Sequence, residues 1–167
     1  DQFHTSYLEG ILATTVIPLL VMPLAIPAWS RFLAKSHVVT FRAVHGWAFV
    51  LAALAMWLAT LLHSLELMYF ASVLLGLGFA GGSLAWNLGH HDFAPAHRDS
   101  EYMALHVTLN GIRGAIAPFV AVALYYPMAK AGWGAWFFFL CFLINIVGLL
   151  GFMSMRKDIP QRKAHEI

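Results

Sequence analysis

The chain has 167 residues, 60% of them hydrophobic and only 11% charged, with a mean hydropathy of +0.73. Soluble domains carry about 25% charged residues, so this balance excludes an ordinary soluble globule and predicts an integral membrane protein whose first partner is the lipid bilayer. A formal charge of +2 is too small to suggest a nucleic-acid partner, and the single cysteine, Cys141, excludes an internal disulfide.

Five apolar runs are long enough to span a hydrocarbon core about 30 Å thick. Their limits are residues 8–28, 43–62, 67–88, 102–126 and 134–153. The expected fold is therefore all-α, a polytopic bundle of five spanning helices over residues 1–155 with a charged tail at 156–167. The chain opens on Asp1 without a basic segment ahead of its first apolar run, which reads as an amino-terminal truncation rather than a signal peptide.

Arg31, Lys35 and Arg42 lie between runs one and two, Arg98 between three and four, and Arg156, Lys157, Arg162 and Lys163 after run five. The opposite side carries Lys130 alone, with Asp1, Glu9 and Glu66. Lys and Arg accumulate on cytoplasmic loops, so the expected topology has the amino terminus outside and the carboxyl terminus in the cytoplasm.

The first run contains Pro18, Pro23 and Pro27, each of which removes a backbone donor and tends to bend a helix. Thr14 and Thr15 read either as polar contacts to a cavity or, more often for such residues, as hydroxyls bonded back to their own helix. In the third run Gly76, Gly78 and Gly81 match a dinucleotide fingerprint only formally, because no strand precedes them. Gly78 and Gly82 form a small-xxx-small pair suited to close helix packing. Ser83, Trp86 and Asn87 continue toward the basic side.

The connection 89–101, GHHDFAPAHRDSE, holds His90, His91 and His97 with two aspartates. Their linear spacing matches no known zinc pattern, so it reads as a solvated loop, with no metal expected. No cofactor is expected either: a bis-histidine haem pocket needs histidines at matching depth on facing helices, and His106 has no evident partner.

The fourth run is apolar yet carries Arg113 roughly 16 Å along the helix from Tyr102, near the middle of a bilayer. Arginine at that depth costs about 2.5–3.5 kcal/mol and avoids lipid. His106, Asn110 and Arg113 share one helical face by their i, i+4, i+7 spacing. Such a stripe serves either a substrate or proton pathway or a lock between helices. The fifth run reads as a lipid-facing anchor with one polar exception, Asn145, expected to hydrogen-bond across to another helix.

These features resemble the last five helices, eight to twelve of twelve, of a major facilitator superfamily carrier. Residues 27–42, PAWSRFLAKSHVVTFR, resemble the basic loop after the second helix of each half, although the usual Gly and Asp are unmatched around Ala34 and Lys35. Asp92, Pro95 and Arg98 resemble the D-x-x-P-x-x-R run between the fourth and fifth helices of a half. Gly111, Gly114 and Pro118 resemble the glycine/proline motif of the fifth helix, used for close contact and bending, and Gly132 and Trp133 resemble the entry to the last helix.

The resemblance implies secondary transport of a small-molecule substrate by alternating access, commonly proton-coupled, in partnership with the missing amino-terminal part of the carrier. It implies that helices one, three and four line the cavity, with helices two and five peripheral. Arg113, Asn110, His106, Asn87 and Ser83 are then the expected substrate or coupling-ion pathway, and a bacterial inner membrane the expected location. The alternative is a histidine-rich membrane redox subunit or an anchor for a larger complex. Catalytic residues are not expected: no serine or aspartate pair lies in the apolar runs with a base beside it.

Overall fold

The computed structural model describes residues 6–159, the Ala96 side chain excepted. It contains five helices long and apolar enough to cross a membrane: α1 Tyr7–Ala34, α2 Val38–Leu62, α3 Leu65–Leu88, α4 Asp99–Lys130 and α5 Gly134–Met155. Among the described residues there is no strand. The tail expected at 156–167 begins with a short 3-10 turn, Arg156–Asp158, and its basic residues Arg162 and Lys163 lie outside the described residues, as does Asp1.

Every helix outruns its apolar stretch, because helical hydrogen bonding continues into polar residues for as long as the caps allow. Ser6 and Glu9 close a capping box ahead of α1, and Ser64 Oγ accepts from Leu67 N at 3.2 Å to start α3. The largest difference falls on the basic connection expected over 27–42. Helix α1 persists to Ala34 and α2 begins at Val38, so only residues 35–37 are non-helical. Proline at 27 does not end α1, since spanning helices tolerate a missing donor where neighbours cover the backbone.

Helix α1 adapts to its prolines upstream. A π-helical turn, Leu12–Val16, directly precedes the segment containing Pro18, and this wider turn reorganises the ladder where the Pro18 N–H is missing. Thr14 Oγ1 donates to the Gly10 carbonyl at 2.8 Å, the local bond expected of it.

The packing runs from α1 to α3, from α3 to α2, from α2 to α5, and more sparsely from α5 to α4. Helix α3 is the hinge of this order because its glycines admit neighbours on two sides. A Cβ at Gly76 would lie 2.8 Å from both the Pro18 carbonyl oxygen and Val21 Cβ of α1. At Gly78 it would meet the Phe49 ring at 2.8 Å, and at Gly81 the His45 ring at 2.7 Å, both on α2. Gly82 needs no such exception, since its Cβ would find Phe49 only at 3.7 Å; the tight approach comes from Gly76, Gly78 and Gly81 rather than from the Gly78/Gly82 pair.

Aromatic rings fill the junction this approach creates. Trp29 of α1 donates its indole N–H to the Leu77 carbonyl of α3 at 3.0 Å and meets Phe41 edge-on at 5.5 Å. His45 is 2% exposed and stacks on Phe41 at 5.1 Å, with Trp29 and Phe49 edge-on. Neither of its ring nitrogens has a hydrogen-bond partner among the described residues. His45 is thus an aromatic core residue.

Helix α5 packs against α2, where Trp57 meets Phe139 at 4.6 Å and Leu149 is buried over Gly46. Asn145 bonds to the Cys141 carbonyl of its own helix at 2.8 Å, not across to another helix as expected. Helix α4 has no buried residue, and Cβ atoms added at Gly111 or Gly114 would meet nothing within 4 Å.

Gly76→Ala therefore destabilises the bundle by about 1–3 kcal/mol, because neither a backbone carbonyl nor a Cβ can rotate away. Gly111→Ala changes stability by less than about 0.5 kcal/mol. Thermal unfolding in detergent micelles, followed by circular dichroism, separates the two.

Candidate functional site

The polar residues converge where α2 starts, α3 ends, α4 starts and α5 ends. Two acceptors cap α2 there. His37 Nδ1 accepts from Val39 N at 3.2 Å, and Asp92 Oδ2, from the α3–α4 connection, accepts from Val38 N at 2.6 Å. A carboxylate on the exposed donors of a helix N-terminus satisfies them and complements the positive end of the helix dipole. Phe93 packs edge-on against His37 at 5.2 Å. The connection is thereby clamped across the beginning of α2.

Behind this clamp lies a cavity of about 480 Å³. Its polar lining consists of Arg42, His90, Tyr102 and His106, set in an apolar wall that includes Leu109 and Phe152. Arg42 projects from the second turn of α2 and is half-buried. No carboxylate among the described residues lines the cavity. Its positive charge is therefore uncompensated from within, which suits an anionic guest with an apolar body.

The expected pathway residues are distributed rather than gathered. His106 lines the cavity, with its ring 4.4 Å from Trp86 and its Nε2 3.3 Å from Asn110 Nδ2. Asn110 also donates to the His106 carbonyl at 3.2 Å. Arg113 is exposed and has no hydrogen bond or carboxylate partner among the described residues. It lines a second, apolar groove of about 360 Å³ between α4 and α5, with Val120, Phe137, Leu140 and Cys141. Ser83 and Asn87 line neither space: Asn87 is exposed and donates to the Ser83 carbonyl at 2.8 Å. Pro118 lies inside α4 without breaking it.

Arg42, His90 and Tyr102 belong to the cavity although none stands out in the sequence as a site residue. Arg42 reads as a flanking charge if the second helix is started at residue 43. The signal that could have found it is Ser36-His37 ahead of a β-branched run, which offers a cap for an earlier start.

The connection 89–101 is less open than its composition suggests. Gly89–Asp92 and Ala96–Arg98 form 3-10 turns, and α4 begins at Asp99. His90 Nε2 lies 3.3 Å from Asp99 Oδ2 and His91 Nδ1 lies 2.8 Å from Asp99 Oδ1, while His97 is exposed. Arg98 pairs with Glu101 at 2.7 Å on the surface, a contact of small energetic weight.

Comparisons with protein-family models, curated proteins and solved structures found no match. What the chain can do is therefore argued from its own residues. Removing the Asp92 cap by Asp92→Ala lowers stability by about 1–2 kcal/mol. Asp92→Asn, whose amide oxygen can still accept from Val38 N, retains most of it. Thermal midpoints in micelles read the difference.

Proposed function

We propose that this chain is part of a secondary membrane transporter resembling the major facilitator superfamily, moving a small anionic solute by alternating access. In this reading its basic end faces the cytoplasm of a bacterial cell and its amino terminus the outside. The observation that carries the proposal is the state of α4, a helix long enough to span a bilayer with His106, Asn110 and Arg113 on one face and no buried residue. Lipid cannot cover a guanidinium near mid-membrane without a cost of about 2.5–3.5 kcal/mol. A water-filled route, or a further helical unit that lines one, removes that cost.

The charge pattern supports an anionic substrate. Arg42 lines the larger cavity, which offers imidazoles and a tyrosine hydroxyl but no carboxylate among the described residues, and Arg113 lines the groove beside it. The division of the polar face between a cavity under α2 and a groove beside α5 gives two successive stations for one guest. Gly111 and Gly114, open on α4, leave room for a backbone from the remainder of the carrier to approach.

Site-directed cysteine labelling tests the reading in native membranes. In a Cys141→Ser background, Asn110→Cys and Arg113→Cys react with a charged, membrane-impermeant thiol reagent, whereas Phe119→Cys and Val122→Cys, which line neither space, do not. Equal protection of all four positions would show that no aqueous route reaches the stripe and would remove the proposal. In proteoliposomes of the full-length carrier, Arg113→Ala lowers anion uptake by at least about tenfold, the order of effect of one lost charged contact.

A further inference from the structure

The α3–α4 connection brings together three polar side chains, of which His90 also lines the larger cavity. His90 and His91 are consecutive in a 3-10 turn, where successive side chains diverge by about 120° around the axis. Their rings nevertheless lie 4.1 Å apart, tilted by 35°. Each ring turns a nitrogen to a different oxygen of Asp99, the first residue of α4, and one donor atom from each of the three residues lies within 4.8 Å of the others.

We propose that His90, His91 and Asp99 form a binding site for a borderline divalent metal ion of the Zn²⁺ type. Two imidazoles and one carboxylate are the ligand chemistry of Zn²⁺ and its neighbours, and Mg²⁺ or Ca²⁺ would prefer an all-oxygen set. Bonds of about 2.0–2.1 Å at tetrahedral angles put neighbouring ligand atoms roughly 3.3 Å apart. The two imidazoles approach different Asp99 oxygens, at 3.3 and 2.8 Å, and one donor atom from each of the three residues lies within 4.8 Å of the others, so an ion would draw the three together by side-chain rotation.

The site is anchored on one side and open on the other. The His90 side chain is 9% exposed and held against the cavity under α2, whereas His91 is 53% exposed and Asp99 35%. An ion can enter from water and keep water in its remaining coordination position. His90 Nδ1 is buried with no partner among the described residues, so the ring lacks the outer hydrogen bond that usually orients a metal-bound imidazole. That omission weakens binding by about 10–100-fold relative to a site whose imidazoles are both oriented, so micromolar affinity is the value to test. Without a metal His90 hydrogen-bonds to Asp99 and His91 lies at ion-pair distance from the same carboxylate, and the measurement must separate the two states. The inference does not depend on the transport reading: it uses none of the α4 stripe and shares only His90 with the larger cavity.

The test uses the full 167-residue chain, without a histidine tag, in detergent micelles. Zn²⁺ is titrated by calorimetry, and Co²⁺ by its visible absorption, which reports nitrogen and oxygen ligation directly. One equivalent binds with micromolar affinity, and His91→Ala and Asp99→Asn each weaken it by at least about tenfold, while His97→Ala leaves it unchanged. Exposed His91 can be replaced without disturbing the fold, which circular dichroism verifies. Absence of stoichiometric binding, binding indifferent to both His91→Ala and Asp99→Asn, or equal loss in His97→Ala would each overturn the site.

Discussion

The bundle depends on how closely its neighbours approach α3. Lipid tails are as apolar as leucine, so helices within a membrane gain little from hydrophobic burial and associate through contact area and hydrogen bonds. Gly76 supplies this on the α1 side by letting a backbone carbonyl and a Cβ sit where a side chain would be. Gly78 and Gly81 supply it on the α2 side by receiving Phe49 and His45. The indole of Trp29 can reach the Leu77 carbonyl only because α1 lies that close.

Helix α4 shows what happens without such contacts. It touches α5 along an apolar groove and the Gly89–Asp92 turn at its start, but buries nothing. Its glycines are open where those of α3 are filled. Elements with few packed contacts open at low free energy, and functional motions draw on them. The helix with the polar stripe is thus the one its own neighbours hold least, and this combination, more than Arg113 alone, is the physical basis for reading it as a moving wall of a solute route.

Polar side chains concentrate at one end of the bundle for a geometric reason. The beginning of α2, the end of α3, the beginning of α4 and the end of α5 meet there. Exposed backbone donors at the helix starts attract carboxylates, which accounts for Asp92 over Val38. The same crowding turns His90 inward toward Arg42 and His106 while His91 stays in water. A doubly charged ion held by this pair would sit beside a cavity that is already positive.

Composition and run length were enough to read an all-helical chain with five helices able to span a membrane, because a spanning segment must be long, apolar and internally hydrogen-bonded whatever its neighbours do. The spacing of His106, Asn110 and Arg113 likewise placed them on one helical face, since helix periodicity is local. Which glycines are filled, that Asn145 bonds within its own helix, and that α1 runs through Pro27 to Ala34 were decided by neighbours contributed from elsewhere in the chain. So was the convergence of Arg42, His90 and His106, and of two adjacent histidines on Asp99. Linear spacing records position along one helix, whereas these contacts join residues on different elements, whose meeting depends on how the helices cross and where each begins.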